Sequence, residues 1–218
     1  MIEAERVFTA RDALAASLAQ DVAAELRRAI EAKGKATLAV SGGSTPKLFF
    51  DRLSQQDLPW HRVTVTLVDE RQVPESSDRS NARLVREHLL KNGAANARFV
   101  PLFGNTSAAD AAPFDIVILG MGSDGHTASF FPGADRLKDA IDAATPERLI
   151  AIEAPGAGEP RLTFTLPVIE SAGRVKLHIE GRDKKLVLDK ALADGPETEM
   201  PVRAVLRSAT PVTLYWAP

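Results

Sequence analysis

The chain has 218 residues, of which 44% are hydrophobic, and this is enough for one large α/β domain with a sizeable core. Its 27 basic and 29 acidic residues leave a net charge of −2, without the basic blocks expected of a nucleic-acid-binding protein. The lack of cysteine excludes disulfides and thiolate nucleophiles, and no apolar run approaches the roughly 20 residues of a membrane helix. These features predict a cytoplasmic protein that binds neither nucleic acid nor membranes.

The first predicted elements are a long helix, a strand and a shorter helix. Apolar residues recur every four positions in the long helix, which follows a capping-box-like pair, Thr9 and Asp12, and ends at Gly34. The apolar run ATLAV, residues 36–40, predicts a buried strand. Pro46 suits the first turn of a helix that runs through Leu53, so the loop SGGST lies between this strand and this helix.

Strands and helices continue to alternate along the rest of the chain. One helix is predicted from Ala82 to Leu90, with Ser80 or Asn81 as its cap. Another is predicted at residues 182–193, with apolar positions Leu186, Val187 and Ala191. Strands are predicted at residues 62–68, 115–119, 149–153, 161–166, 174–180 and 211–217.

This alternation predicts a mostly parallel sheet with helices on both faces, in one domain that covers residues 1–218. Ligands of such sheets bind beyond the carboxyl ends of the strands. The segments SGGST, DER, GSDGH and GRDK each follow a predicted strand directly. We therefore expect these four loops to meet at one edge of the sheet and to form the functional site.

The segment GMGSDG, residues 120–125, matches the glycine pattern of a dinucleotide-binding turn. Such a turn must open a long helix whose amino terminus faces the pyrophosphate. Here HTASFF follows, and Pro132 and Gly133 then stop any helix after about two turns. The glycines are better explained as room for a small ligand close to the backbone.

His126 is the candidate general base, because Asp124 lies two residues before it and can orient the imidazole. A loop histidine tied to the backbone is the alternative. The other histidines have structural explanations: His61 precedes a strand, His88 lies on an exposed helix face, and His178 lies on the polar side of its strand.

The loop SGGST combines flexible backbone N–H groups with hydroxyl side chains, which together favour an anion site. A tight turn is the alternative, and the G-K-[ST] ending of a nucleotide triphosphate loop is absent. Arg161 and Lys184 lie at the ends of predicted elements and can neutralise a phosphate. The predicted anion site comprises Ser41, Gly42, Gly43, Ser44, Thr45, Arg161 and Lys184.

The triplet DER begins where a buried strand reaches the edge of the sheet. Asp69 and Arg71 can bind sugar hydroxyls or shape the electrostatic field around a carbonyl, although charge clusters are more often simply solvated. A metal site made of Asp69, Asp124 and His126 lacks the usual ligand spacing, so we predict no metal.

Taken together, these motifs resemble the 6-phosphogluconolactonase family. SGGSTP, DERQVPESSDRSN, GMGSDGHTASFFPG, RLTFTLPVIESA and EGRDKK occur in the order of that family and span nearly the whole chain. The resemblance implies a Rossmann-like three-layer α/β sandwich with a mostly parallel central sheet. It also implies hydrolysis of 6-phospho-D-glucono-1,5-lactone in the oxidative pentose phosphate pathway, without a metal or nucleotide cofactor.

Position by position, the resemblance makes SGGST the phosphate loop, with Arg161 and Lys184 as its basic partners. Arg71 resembles the substrate-positioning arginine, and Asp124 with His126 the catalytic pair. The segment at residues 105–113 is shorter than in the family, which bears on the surface there and on whether the chain is a monomer or a weak homo-oligomer.

Two other functions compete with the lactonase. A glucosamine-6-phosphate deaminase would use Asp69 as its base, but the acidic residue expected after the histidine is missing from TASFFP. A noncatalytic sugar-phosphate sensor would keep SGGST but would have no need of Asp124 and His126. Release of ammonia would favour the first alternative, and binding without turnover the second.

Overall fold

A parallel sheet forms the centre of the molecule. The computed structural model describes residues 1–155 and 157–218. Within these residues the strands are β1 Ile2–Val7, β2 Ala36–Val40, β3 Val63–Leu67, β4 Asp69–Arg71, β5 Arg98–Val100, β6 Ile116–Leu119, β7 Leu149–Ile152, β8 Arg161–Phe164, β9 Arg174–Glu180 and β10 Val212–Ala217. The main sheet has the order β1-β10-β9-β6-β2-β3-β5, and each neighbouring pair is parallel. The predicted α/β fold with a mostly parallel central sheet is therefore confirmed.

Helices connect the strands and cover the sheet. Those in the described residues are α1 Arg11–Lys33, α2 Lys47–Leu53, α3 Asn81–His88, α4 Leu137–Ile141, α5 Leu166–Glu170, α6 Arg182–Leu192 and α7 Val202–Arg207. None of them is long and apolar enough to cross a bilayer. The helix predicted before Gly34 is α1, and Gly34 ends it with φ +78° and an N–H that donates to the Ile30 carbonyl at 2.8 Å.

The predicted capping box of α1 is wrong. Ala10 occupies the N-cap position with an extended backbone and makes no side-chain capping bond, so Thr9 lies one residue too early to cap the helix. For α3 the prediction is right, because the Ser80 hydroxyl accepts the Arg83 N–H at 3.2 Å.

A second, antiparallel sheet has the order β4-β8-β7. The runs LIAIE and RLTFTL were expected as further strands, and they do form strands, but they pair with each other and with DER outside the main sheet. Apolar content alone does not distinguish these two pairings. This small sheet brings Asp69, Arg71 and Arg161 to the carboxyl edge of the main sheet.

Two details of burial differ from the expectations. His178 was placed on a polar face, but it is 2% exposed, since β9 lies inside the sheet with both of its faces covered. Its ring meets the ring of Phe49 edge-on at 6.1 Å. In α6 the buried residues are Leu188 and Ala191, whereas Leu186, expected on the apolar face, is 67% exposed.

Candidate active site

One cavity of about 410 Å³ lies at the carboxyl edge of the main sheet, where the loops after β2, β3, β6 and β9 meet. All the predicted site residues except Asp124 line this cavity, and Asp124 lies beside His126. The lining residues named by the sequence are Ser41, Gly42, Gly43, Ser44, Thr45, Asp69, Arg71, His126, Arg161 and Lys184.

The loop SGGST runs from the end of β2 to α2. Gly43 has φ +91°, a conformation that L side chains rarely adopt. The Ser41 N–H donates to the Ile118 carbonyl at 3.0 Å, but the buried Ser41 hydroxyl has no hydrogen-bond partner among the described residues. Because buried hydroxyls are normally paired, this atom is available to a ligand.

Asn81 connects the SGGST loop with the DER segment. Its side-chain amide donates to the Asp69 carbonyl at 2.9 Å and accepts from Arg71 Nη1 at 2.8 Å. A Cβ on Gly42 would overlap with the same amide, so Gly42 must be glycine for this loop to approach Asn81. One amide therefore fixes three parts of the site relative to one another.

The Glu70 carboxylate holds the backbone of Asn81 in place. This carboxylate, 1% exposed, accepts the backbone N–H groups of Arg71, Asn81 and Ala82 at 2.7–2.8 Å and the Ser80 hydroxyl at 3.2 Å. Burial raises the pKa of Glu70 even though these donors oppose the shift. Glu70 is thus a buried acceptor for the first turn of α3 and does not face the ligand.

Asp69 turns its carboxylate the other way, toward the cavity. Asp69 is 6% exposed, and its Oδ2 accepts the Ser129 hydroxyl at 2.6 Å. The backbone N–H of Ser129 in turn reaches the Thr163 hydroxyl at 3.4 Å. This arrangement suits a residue that accepts hydrogen bonds from sugar hydroxyls.

Arg71 and Arg161 stand directly opposite each other in the β4–β8 register. Arg161 is 6% exposed, and its Nη2 donates to the Ala157 carbonyl at 2.8 Å. Burial, followed by the neighbouring charge of Arg71, lowers the pKa of the Arg161 guanidinium. The two cations and Lys184 give the cavity a positive field that attracts an anion.

His126 and Asp124 form a close pair. The imidazole Nδ1 lies 2.6 Å from Asp124 Oδ1, and the His126 backbone N–H donates to the same oxygen at 3.1 Å. Burial alone would raise the pKa of Asp124, but the hydrogen bond and the charge of His126 lower it to about 2. Asp124 is therefore an ionised acceptor that keeps the proton on Nδ1 and leaves Nε2 to act as a base.

The ring of His126 is held on more than one side. A Cβ on Gly122 would overlap with both the imidazole and the Asp124 carboxylate, and the Gly122 N–H donates to the His126 carbonyl at 2.8 Å. The Phe131 ring lies 4.2 Å from the imidazole, centroid to centroid, and the Arg161 guanidinium lies 5.4 Å from that same phenyl ring. These contacts restrict the imidazole to one orientation.

Lys184 lies in the first turn of α6 and lines the cavity. Burial lowers the pKa of its ammonium, and the nearby Asp124 opposes that shift. The site also contains residues to which the sequence analysis gave no role there. Among them are Glu70, Arg79, Asn81, Ser129, Phe131 and His178. Gly122, which the sequence interpretation explains as room for a ligand, makes room for the His126 imidazole.

Comparisons with known proteins identify the family of the chain. The family model described as glucosamine-6-phosphate isomerases/6-phosphogluconolactonase matches residues 9–216. A 6-phosphogluconolactonase of Rhizobium meliloti (strain 1021) is 57% identical, with 97% of each chain covered, and one of Mesorhizobium japonicum is 51% identical, with 97% of this chain and 94% of the relative covered. The crystal structure of a 6-phosphogluconolactonase from Shewanella baltica OS155 superimposes over 100% of both chains with a TM-score of 0.95 at 40% identity. The chain belongs to the glucosamine-6-phosphate isomerase/6-phosphogluconolactonase family.

Proposed function

We propose that this chain hydrolyses 6-phospho-D-glucono-1,5-lactone to 6-phospho-D-gluconate. The observation that carries the proposal is the pairing of His126 with an ionised Asp124, 2.6 Å apart, at the wall of a cationic cavity. This combination suits an enzyme that activates water next to the electrophilic carbonyl carbon of a phosphorylated substrate. The relatives from Rhizobium meliloti and Mesorhizobium japonicum carry the name of this activity.

In the proposed mechanism, His126 Nε2 takes a proton from water as the water oxygen attacks C1 of the lactone. Asp124 stabilises the imidazolium that forms, because its carboxylate accepts the Nδ1 proton. The tetrahedral intermediate then breaks the bond between C1 and the ring oxygen, and the proton on Nε2 passes to that oxygen. The sum is one lactone and one water converted to one hydroxy acid.

The cationic residues hold the substrate during these steps. We assign the 6-phosphate to the SGGST loop with Arg161 and Lys184, and the positioning of the ring to Arg71 and Asp69. Binding energy from the phosphate, which is remote from C1, orients the carbonyl toward the water. Positioning together with general-base help of roughly 10²–10⁴-fold suffices for an activated ester.

The deciding experiment is a lactonase assay with freshly generated 6-phospho-D-glucono-1,5-lactone, corrected for spontaneous hydrolysis. We expect turnover that persists in the presence of a metal chelator. A parallel assay with glucosamine 6-phosphate measures ammonia. Ammonia release without lactone hydrolysis would make the chain a deaminase that uses Asp69, and binding of 6-phospho-D-gluconate without any turnover would make it a sensor.

We further propose that the chain works in the cytoplasm, on a freely diffusing small molecule, as a monomer or a weak homo-oligomer. In support of this proposal, the residues assigned to the phosphate, the sugar ring and the attacking water all lie at or beside one cavity of a single chain. Sedimentation at several protein concentrations measures the association of the chain. The activity assay at the same concentrations tests whether the specific activity is independent of that association.

A further inference from the structure

Two of the arginines in the cavity lack part of their hydrogen bonding. Arg71 and Arg161 face each other across β4 and β8, and like charges directly opposite in a sheet repel. The Nε atom of each is buried and has no hydrogen-bond partner among residues 1–155 and 157–218. An anion bound between them would supply both the missing acceptors and the missing charge.

A third arginine, Arg79, lines the same cavity, and its charge acts on Arg161. Its main-chain carbonyl accepts Arg71 Nη1 at 2.7 Å, so the backbone of Arg79 is tied directly to the buried pair. Its side chain points to a different partner, because Nη2 donates to Glu159 Oε2 at 2.9 Å. Glu159 itself does not line the cavity.

The pair of Arg79 and Glu159 joins the segment after β4 to the segment before β8 at the edge of the site. The Arg79 side chain is 55% exposed and that of Glu159 26% exposed. Ion pairs in such positions contribute little to stability, so the pair is easily exchanged. A phosphate dianion, by contrast, offers Arg79 two oxygens and a higher charge.

We propose that Arg79 is a further phosphate-binding residue, and that its guanidinium changes partner from Glu159 to the substrate's phosphate when the substrate binds. This inference rests on the proposed function, because it takes the phosphate of a sugar lactone as the anion. Glu159 then competes with the phosphate of the ligand for the Arg79 guanidinium. The proposal also makes Arg79 a determinant of selectivity for phosphorylated over unphosphorylated lactones.

Equilibrium binding of 6-phospho-D-gluconate, measured by calorimetry, tests the proposal without relying on turnover. We expect Arg79→Gln to weaken binding roughly tenfold, the effect of losing one charge-assisted hydrogen bond. Glu159→Gln removes the competitor and should tighten binding about two- to fivefold. In the double variant the gain from Glu159→Gln should disappear, because it acts only through Arg79.

Arg86→Gln is the matched control, since Arg86 forms a similarly exposed pair with Glu75 and does not line the cavity. Its dissociation constant should equal that of the unmodified chain. Wild-type affinity in Arg79→Gln, or a Glu159→Gln effect that persists in the double variant, would overturn the proposal. Failure of lactone hydrolysis with these binding shifts intact would refute the proposed activity and leave the role of Arg79 standing.

Discussion

At the scale of single residues, His126 should determine the rate of the reaction. Because Nε2 takes the proton from water, we expect His126→Asn to lower kcat by roughly 10²–10⁴-fold. Binding of 6-phospho-D-gluconate should change little, since the phosphate contacts remain. His88→Asn is the control, because His88 contacts Asp51 away from the cavity. A kcat for His126→Asn equal to that of the control would remove His126 from the mechanism.

The second residue-scale prediction concerns the charge of Asp124, whose pKa is about 2 in the folded chain. A lowered carboxyl pKa stabilises the fold fully above the unfolded value of 3.8, and this contribution is lost as the pH falls through about 2. Asp124 thus stays ionised above about pH 4. A carboxyl carbon NMR titration should place its midpoint near 2, and a midpoint at 3.8 would contradict the pairing.

Substitution of Gly122 should lower kcat, as substitution of the residues that it contacts should. A methyl group there would displace His126 and Asp124 together, so we expect Gly122→Ala to lower kcat steeply while the far-ultraviolet circular dichroism stays unchanged. Ser123→Ala provides the comparison, because Ser123 is exposed in the same loop and does not line the cavity. Similar kcat values for the two variants would show that the imidazole tolerates displacement.

The polar residues predicted from the sequence lie at one cavity, because most of them are in segments that follow strands of the parallel sheet. Sequence reasoning did not find the residues that hold them. Gly122 must be glycine because His126 folds back onto it, and Asn81 matters because it bridges segments that are distant in sequence. Contacts of this kind depend on the tertiary structure, and residue spacing does not encode them.

At the scale of elements, the amino terminus of α3 depends on Glu70. Replacing the carboxylate with an amide in Glu70→Gln sets an NH₂ group against backbone N–H donors and leaves some of them unpaired. We expect a loss of about 2–4 kcal/mol in the free energy of unfolding, measured in urea. Glu75→Gln, whose carboxylate is exposed, should lose less than about 1 kcal/mol. Equal losses would mean that Glu70 does not anchor the helix.

The elements that were predicted and those that were missed differ in their surroundings. The sequence predicts the strand at residues 36–40 with its observed bounds, because four of its five residues are apolar and buried. No strand was assigned at β1, which is a charged edge strand with mostly exposed residues. The third strand of the small sheet, β4, was identified only as a charged triplet, because three polar residues carry no strand pattern.

At the scale of the whole molecule, the long helix α1 is joined to the sheet by buried polar contacts. Tyr215 donates to Asp21 at 2.6 Å, and Lys176 Nζ lies 3.0 Å from Glu25 Oε1. Burial, together with Asp21, raises the pKa of the Tyr215 phenol well above its usual range. These contacts link the first helix to β9 and β10, which come from the last quarter of the chain.

Because the pKa of Tyr215 is raised, the free energy of unfolding should decrease at alkaline pH. The contribution of Tyr215 is complete below the ordinary phenol value near 10 and is lost as the pH rises beyond it, because only the unfolded chain then ionises. Tyr215→Phe should cost about 1–2 kcal/mol at neutral pH and should reduce the decline in stability at higher pH. Since the chain has one tyrosine, phenolate absorbance follows this group alone, and ionisation near pH 10 in the folded chain would contradict the prediction.

The register of the small sheet constrains how this enzyme can change. Side chains alternate faces along a strand, so inserting or deleting one residue within β4 or β8 would turn Arg71 or Arg161 away from the cavity. The neighbouring residues 72–80, 153–155 and 157–160 lie outside these strands. Variation that alters ligand preference while keeping catalysis should therefore accumulate in these segments, while the lengths of β4 and β8 stay the same.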